Sequence, residues 1–158
     1  MDANKEKIRS LMAADVRIGE AYYFFSTRHG VTENELNVLY AMDDDQPHTQ
    51  QQIVRDWLLP KTTVNTAVKS LVRSGDAELQ PQAGSREKRI VLTEAGQRRA
   101  REVLQKVYAA ERAAMERTCS RYSPEFVEAF GYFAECLLAE LGPEGGHEIG
   151  HNEKEERP

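Results

Sequence analysis

Residues 59–75 read LPKTTVNTAVKSLVRSG. Val64, Val68, Leu71 and Val72 recur there at spacings of three and four, which predicts a helix with one apolar face. The other face carries Lys61, Thr62, Thr63, Asn65, Thr66, Lys69, Ser70 and Arg73. It holds hydroxyls, an amide and cations, and no carboxylate. In a chain of 158 residues with net charge −5, an ordinary solvated face would be expected to include Glu. This face is therefore expected to meet something negative.

The flanks give the helix its setting. Pro60 stands where proline is tolerated, in the first turn, and Gly75 closes the C-terminus. Upstream, Thr49 with Gln52 forms a capping box. It opens a short helix from Gln50 to Trp57 or Leu58, with Ile53, Val54 and Trp57 apolar. Downstream the period changes. AELQP (77–81) and KRIVL (88–92) are strand candidates separated by QAGSRE, which predicts a β-hairpin with Arg86, Lys88 and Arg89 at its tip and second arm. Two short helices joined by three or four residues predict a helix-turn-helix. In that arrangement the second helix enters the DNA major groove, N-terminal residues at base edges. Thr62, Thr63, Asn65 and Thr66 suit that place, because hydroxyls donate or accept and Asn pairs bidentately with adenine. Lys61, Lys69, Arg73, Lys88 and Arg89 are the expected phosphate contacts. Charge agrees: between Gln46 and Arg101 ten Lys/Arg face five Asp/Glu, a local +5, while the remainder carries −10. A basic middle in an acidic chain points to a polyanion.

Further out the chain reads as helix. Residues 4–27 place Ile8, Leu11, Met12, Val16, Ile18, Tyr22, Tyr23 and Phe25 in a broad helical pattern that His29-Gly30 ends. A capping box of Thr32 and Glu35 starts a second helix, with Leu36, Val38, Leu39 and Met42 inward. Asp43-Asp44-Asp45 and Pro47 end it in what reads as a solvated turn. Thr93 caps a long helix from Glu94 to about Arg121, with Val103, Leu104, Val107, Tyr108 and Met115 spaced helically. Ser123-Pro124-Glu125 opens a last helix to Leu141, whose Phe126, Val127, Phe130, Phe133, Ala134, Leu137, Leu138 and Leu141 form a wide apolar face. Residues 142–158 are Gly-rich and charged, and are expected to be disordered.

Other function classes find little support. No apolar run approaches the roughly 20 residues that span a bilayer, and MDANKEKIRS has no signal-peptide stretch, so a cytoplasmic location is expected. Cys119 and Cys136 are the only cysteines, and two in a leaderless chain read as reduced thiols. His147-Glu148-Ile149-Gly150-His151 matches H-E-x-x-H, but that motif holds zinc only on a helix, and Gly145, Gly146 and Gly150 surround it. No metal site, cofactor or catalytic set is expected. His29 and His48 read as structural or solvated.

The segment TQQQIVRDWLLPKTTVNTAVKSLVRSG, followed by REKRIVLTEAG, resembles the winged helix-turn-helix of the MarR family of bacterial transcriptional regulators. Thr62 to Thr66 and Leu71 to Gly75 match the family's recognition-helix pattern. Leu92, Thr93 and Gly96 match the Leu-Thr-x-x-Gly that closes its wing. The resemblance covers about residues 32–99. It implies a mainly α fold with a small β-hairpin wing, flanked by N- and C-terminal dimerisation helices: residues 1–31 and 100–141 for dimerisation, 32–99 for DNA. It also implies a homodimer on a pseudopalindromic operator of double-stranded DNA, and a repressor released by a small aromatic or amphipathic effector. Tyr22, Tyr23, Phe24, Arg28 and Tyr40 lie on segments that could line the effector pocket, with dimer core as the rival reading. Arg86 falls where the family inserts an arginine into the minor groove. Two departures stand out: Gly84 replaces the wing-tip Asp that would orient Arg86, and Asp76 follows Gly75 where the family usually has an apolar residue. With the net acidity, they motivate an alternative, a winged-helix protein-interaction module that has lost specific DNA binding.

Overall fold

The computed structural model describes residues 3–44 and 46–142. Asp45, the H-E-x-x-H segment and nearly all of the C-terminal tail lie outside them. The chain divides into two compact units, 1–111 and 112–158, and the division falls within one continuous helix.

The first unit begins with α1 (Ala3–His29) and α2 (Glu33–Ala41). Both sides of the α2 capping box are made: Glu35 N–H donates to Thr32 Oγ1 at 3.1 Å, and Thr32 N–H donates to the Glu35 carboxylate at 2.9 Å. A two-residue strand β1 (His48–Thr49) leads into α3 (Gln50–Asp56). Its capping box, Thr49 with Gln52, is likewise complete. Residues 57–60 turn the chain into α4 (Lys61–Arg73), with Leu58 in the left-handed region at φ 51°. Then come β2 (Ala77–Pro81), β3 (Lys88–Leu92) and α5 (Glu94–Cys119). The sheet order is β1-β3-β2, antiparallel throughout. The hairpin bounds match those expected. The third strand was not expected, and it ties the start of α3 to the wing through the pairs His48–Ile90 and Thr49–Arg89.

The core gathers one apolar stripe from each element. Leu36, Val38 and Leu39 of α2 meet Ile53 of α3, Val64, Val68 and Leu71 of α4, Ile90 of β3 and Leu104 of α5. A fully buried Val or Leu contributes about 1.5–3 kcal/mol by leaving water, so these side chains set the orientation of α4. One inward position differs from the expected set: Ala67 is buried while Val72 is 38% exposed. On a 3.6-residue turn, Val64, Ala67, Val68 and Leu71 share a face that Val72 leaves.

In the second unit, residues 123–125 form a turn, and α6 (Phe126–Leu141) starts two residues later than the sequence suggests. None of its residues is buried. Large apolar side chains of α1 are uncovered too, among them Ile8, Met12, Val16 and Ile18. No helix among the described residues is long and apolar enough to cross a membrane.

Candidate nucleic-acid interface

With the buried stripe of α4 fixed against α2, α3 and β2, its other face is presented to solvent. Thr62, Thr66, Lys69 and Arg73, spaced four, three and four apart, are exposed along one line. Lys61 is exposed beside them, while Thr63 and Asn65 are half-buried on its flanks. Asn65 is the residue best shaped for bidentate adenine contact.

The wing supplies the second group. Ser85 N–H donates to the Gln82 carbonyl at 3.2 Å, making a tight turn with Gly84 at its third position. Gly84 has φ 73°, a conformation that side chains with a Cβ rarely take. The glycine standing in place of the family's Asp is thus the residue this turn prefers. Arg86, Lys88 and Arg89 are all exposed. Among the described residues, Lys61, Lys69, Arg73, Arg86 and Lys88 have no carboxylate partner. Arg89 only donates to the Gln82 side chain at 3.3 Å. The structure thus places the ten expected DNA-contact residues on α4 and the wing of one unit, and six of them are cations with no ion pair among the described residues.

The wing is anchored by a network that sequence reasoning missed. Asp76 is 7% exposed. Its carboxylate accepts from Ser74 Oγ at 2.7 Å and pairs with the Arg99 guanidinium. Arg99 also donates to the Gly30 carbonyl at 2.9 Å, so one side chain joins the α1–α2 turn, the α4–β2 turn and α5. The Asp76 carbonyl accepts from Thr93 N–H at 2.9 Å, and Thr93 Oγ1 donates to the Gly75 carbonyl at 2.7 Å. Gly96 packs on the same peptide: a Cβ there would stand 1.8 Å from the Asp76 oxygen. The Leu-Thr-x-x-Gly pattern is therefore a clasp closing α5 onto the start of β2. Asp76 has a partner, and its pairing explains an acid at a position where an apolar residue was expected. A partner 23 residues away gives no local signal.

The five candidate effector residues are not gathered in one place. Tyr22 and Tyr40 converge on Glu111, donating to its two carboxylate oxygens at 2.6 and 2.9 Å. Tyr40 also meets Trp57 and Tyr108 edge-on, with ring centroids 5.4 and 5.2 Å away. Tyr108 donates to Asp43 at 2.5 Å, so that acid is a helix anchor as well as part of a turn. Burial, then the bond to Glu111, pushes the Tyr40 phenol up to about 12. Burial and the same carboxylate raise Tyr22, and burial with the Asp43 bond raises Tyr108. Tyr23 lines a separate cleft with Ser26 and Thr27. Phe24 and Arg28 are exposed. Cys119 and Cys136 are free and exposed.

A helix-turn-helix followed by a basic two-stranded wing defines the winged helix-turn-helix class. Residues 29–86 match the model of the MarR family. Solved structures share the fold. AbsC of Streptomyces coelicolor, described as a MarR family transcriptional regulator, aligns with TM-score 0.73 at 14% identity, covering 89% of this chain and 95% of its own. Staphylococcus aureus MarR, in complex with salicylate and kanamycin, aligns with TM-score 0.68 at 19% identity, covering 87% and 93%. The M. tuberculosis transcriptional regulator MOSR, in complex with DNA, aligns with TM-score 0.61 at 20% identity, covering 85% and 97%. No curated protein matches by sequence.

Proposed function

We propose that this chain is a cytoplasmic, homodimeric transcriptional regulator that binds a pseudopalindromic operator in double-stranded DNA, and a repressor that a small-molecule effector releases. The observation that carries the DNA reading is the exposed line Thr62, Thr66, Lys69 and Arg73, with cations on α4 and on the wing that make no ion pair among the described residues. Fold relatives with DNA bound support it. Thr62, Thr63, Asn65 and Thr66 read bases; Lys61, Lys69, Arg73, Lys88 and Arg89 hold phosphates; Arg86 enters the minor groove. The uncovered apolar side chains of α1, and separately those of α6, support a dimer, since exposed apolar patches mark interfaces. The effector proposal rests on the salicylate complex of a fold relative and on the Tyr22–Tyr40–Glu111 cluster. The interaction-module alternative loses one of its grounds, because Asp76 is held by Arg99 and Ser74 instead of disturbing the wing.

The test is a gel-shift on the chain's own upstream DNA at two salt concentrations, with random duplex as competitor. Preferential binding that weakens steeply with salt is expected, because phosphate contacts release counterions. If no upstream fragment outcompetes random sequence, the proposal fails.

A further inference from the structure

We propose that the cleft between α3 and the wing seats one DNA backbone phosphate, held from its two walls by Arg55 and Arg89. This rests on the DNA-binding reading and adds to it a site on the helix that precedes the recognition helix.

The cleft has a volume of about 230 Å³. Gln51, Gln52 and Arg55 line it from α3, and Gln82, Glu87 and Arg89 from the wing. Residues three and four apart on a helix are surface neighbours, so both glutamines and Arg55 belong to one patch of α3. The sheet register brings the walls together. Arg89 pairs across the sheet with Thr49, which is the N-cap of α3. Two guanidiniums and three carboxamides thus border one polar hollow. Arginine's planar fork matches phosphate oxygens, and such charge-assisted bonds are the strong ones. In helix-turn-helix docking the first helix crosses the DNA backbone, which is where a phosphate would be delivered.

Two carboxylates oppose this. Glu87 lines the cleft, and Asp56 holds Arg55 through contacts of 2.7 and 3.3 Å. The Arg55–Asp56 pair is exposed at both ends, and exposed pairs are weak. An arriving phosphate can therefore take Arg55 from Asp56, which acts as a brake on binding.

Affinity for a random-sequence duplex, measured by fluorescence anisotropy across a salt series, tests the seat without knowledge of the operator. Arg55→Gln is expected to weaken binding roughly tenfold, the low end for hydrogen bonds to a charged group. Arg55→Gln and Arg89→Gln together should flatten the salt slope by about one, because they share one phosphate. Asp56→Asn should tighten binding only while Arg55 is present. Melting curves establish that each variant folds. A double variant that loses about two units of slope would place the arginines on separate phosphates and overturn the seat. Unchanged affinity in Arg55→Gln would overturn it too, while leaving the DNA reading intact. A wild-type chain that binds no duplex would overturn the DNA reading itself.

Discussion

Gly96→Ala tests the clasp that fixes the wing. A methyl added at this position would lie 1.8 Å from the Asp76 carbonyl oxygen and 2.6 Å from its carbon. Real Cβ contacts do not fall below 3.0 Å, so the carbonyl must retreat by at least about 1.2 Å. The obstacle is backbone, and no rotamer change relieves it. Overpacking of this kind costs about 1–3 kcal/mol. The same carbonyl accepts from Thr93 N–H, and the adjacent Gly75 carbonyl accepts from Thr93 Oγ1. Loosening those two bonds adds roughly 1–2 kcal/mol. Alanine regains about 1 kcal/mol of helix propensity over glycine. The balance is a loss of roughly 1–4 kcal/mol, which for a chain of this size lowers Tm by about 2–4 °C per kcal/mol. Thermal melts followed by circular dichroism, at one fixed protein concentration because dimers melt by mass action, would measure it. Gly96→Ala melting at or above wild type would refute the clasp.

Other consequences follow from the same contacts. Arg99→Met leaves the Asp76 carboxylate buried without its cation and should destabilise by about 2 kcal/mol or more, whereas Arg99→Met with Asp76→Leu should recover most of it, because apolar replacements of buried pairs are often tolerated; chemical denaturation of both variants checks this. The raised tyrosines make alkaline stability measurable. A phenol raised by folding stabilises the fold fully below its unfolded value of about 10, and that stability is lost as pH rises toward the folded value, about 12 for Tyr40. Stability should therefore fall between about pH 10 and 12, and Tyr40→Phe should flatten the fall; a slope identical to wild type would contradict the Glu111 contact. Arg86→Ala should weaken DNA binding with the dimer intact, as read by anisotropy and light scattering, and unchanged affinity would remove the wing from the interface.

What the sequence could show follows from the range of each signal. Capping boxes are local, so Thr32–Glu35 and Thr49–Gln52 could be read and are found intact. The hairpin bounds could be read because period, breakers and charge change together at residues 77, 82 and 88. β1 could not: two residues have no period, and the pairing partners of His48 and Thr49 lie about forty residues on. Glu111 looks like any solvated acid on a long helix until Tyr22 and Tyr40 arrive from other elements. The polarity of the exposed α4 face was legible because it departs from what a solvated helix carries. The neutralisation of Arg55 by Asp56, and its position facing Arg89, needed the folded chain.

The most direct measurement of the central claim is a hydroxyl-radical footprint of the chain on its own upstream DNA. A homodimer presenting two α4 helices should protect two half-sites one helical turn apart, about 34 Å centre to centre, related by an approximate dyad. A single protected patch, or uniform protection that shifts with the fragment ends, would contradict it.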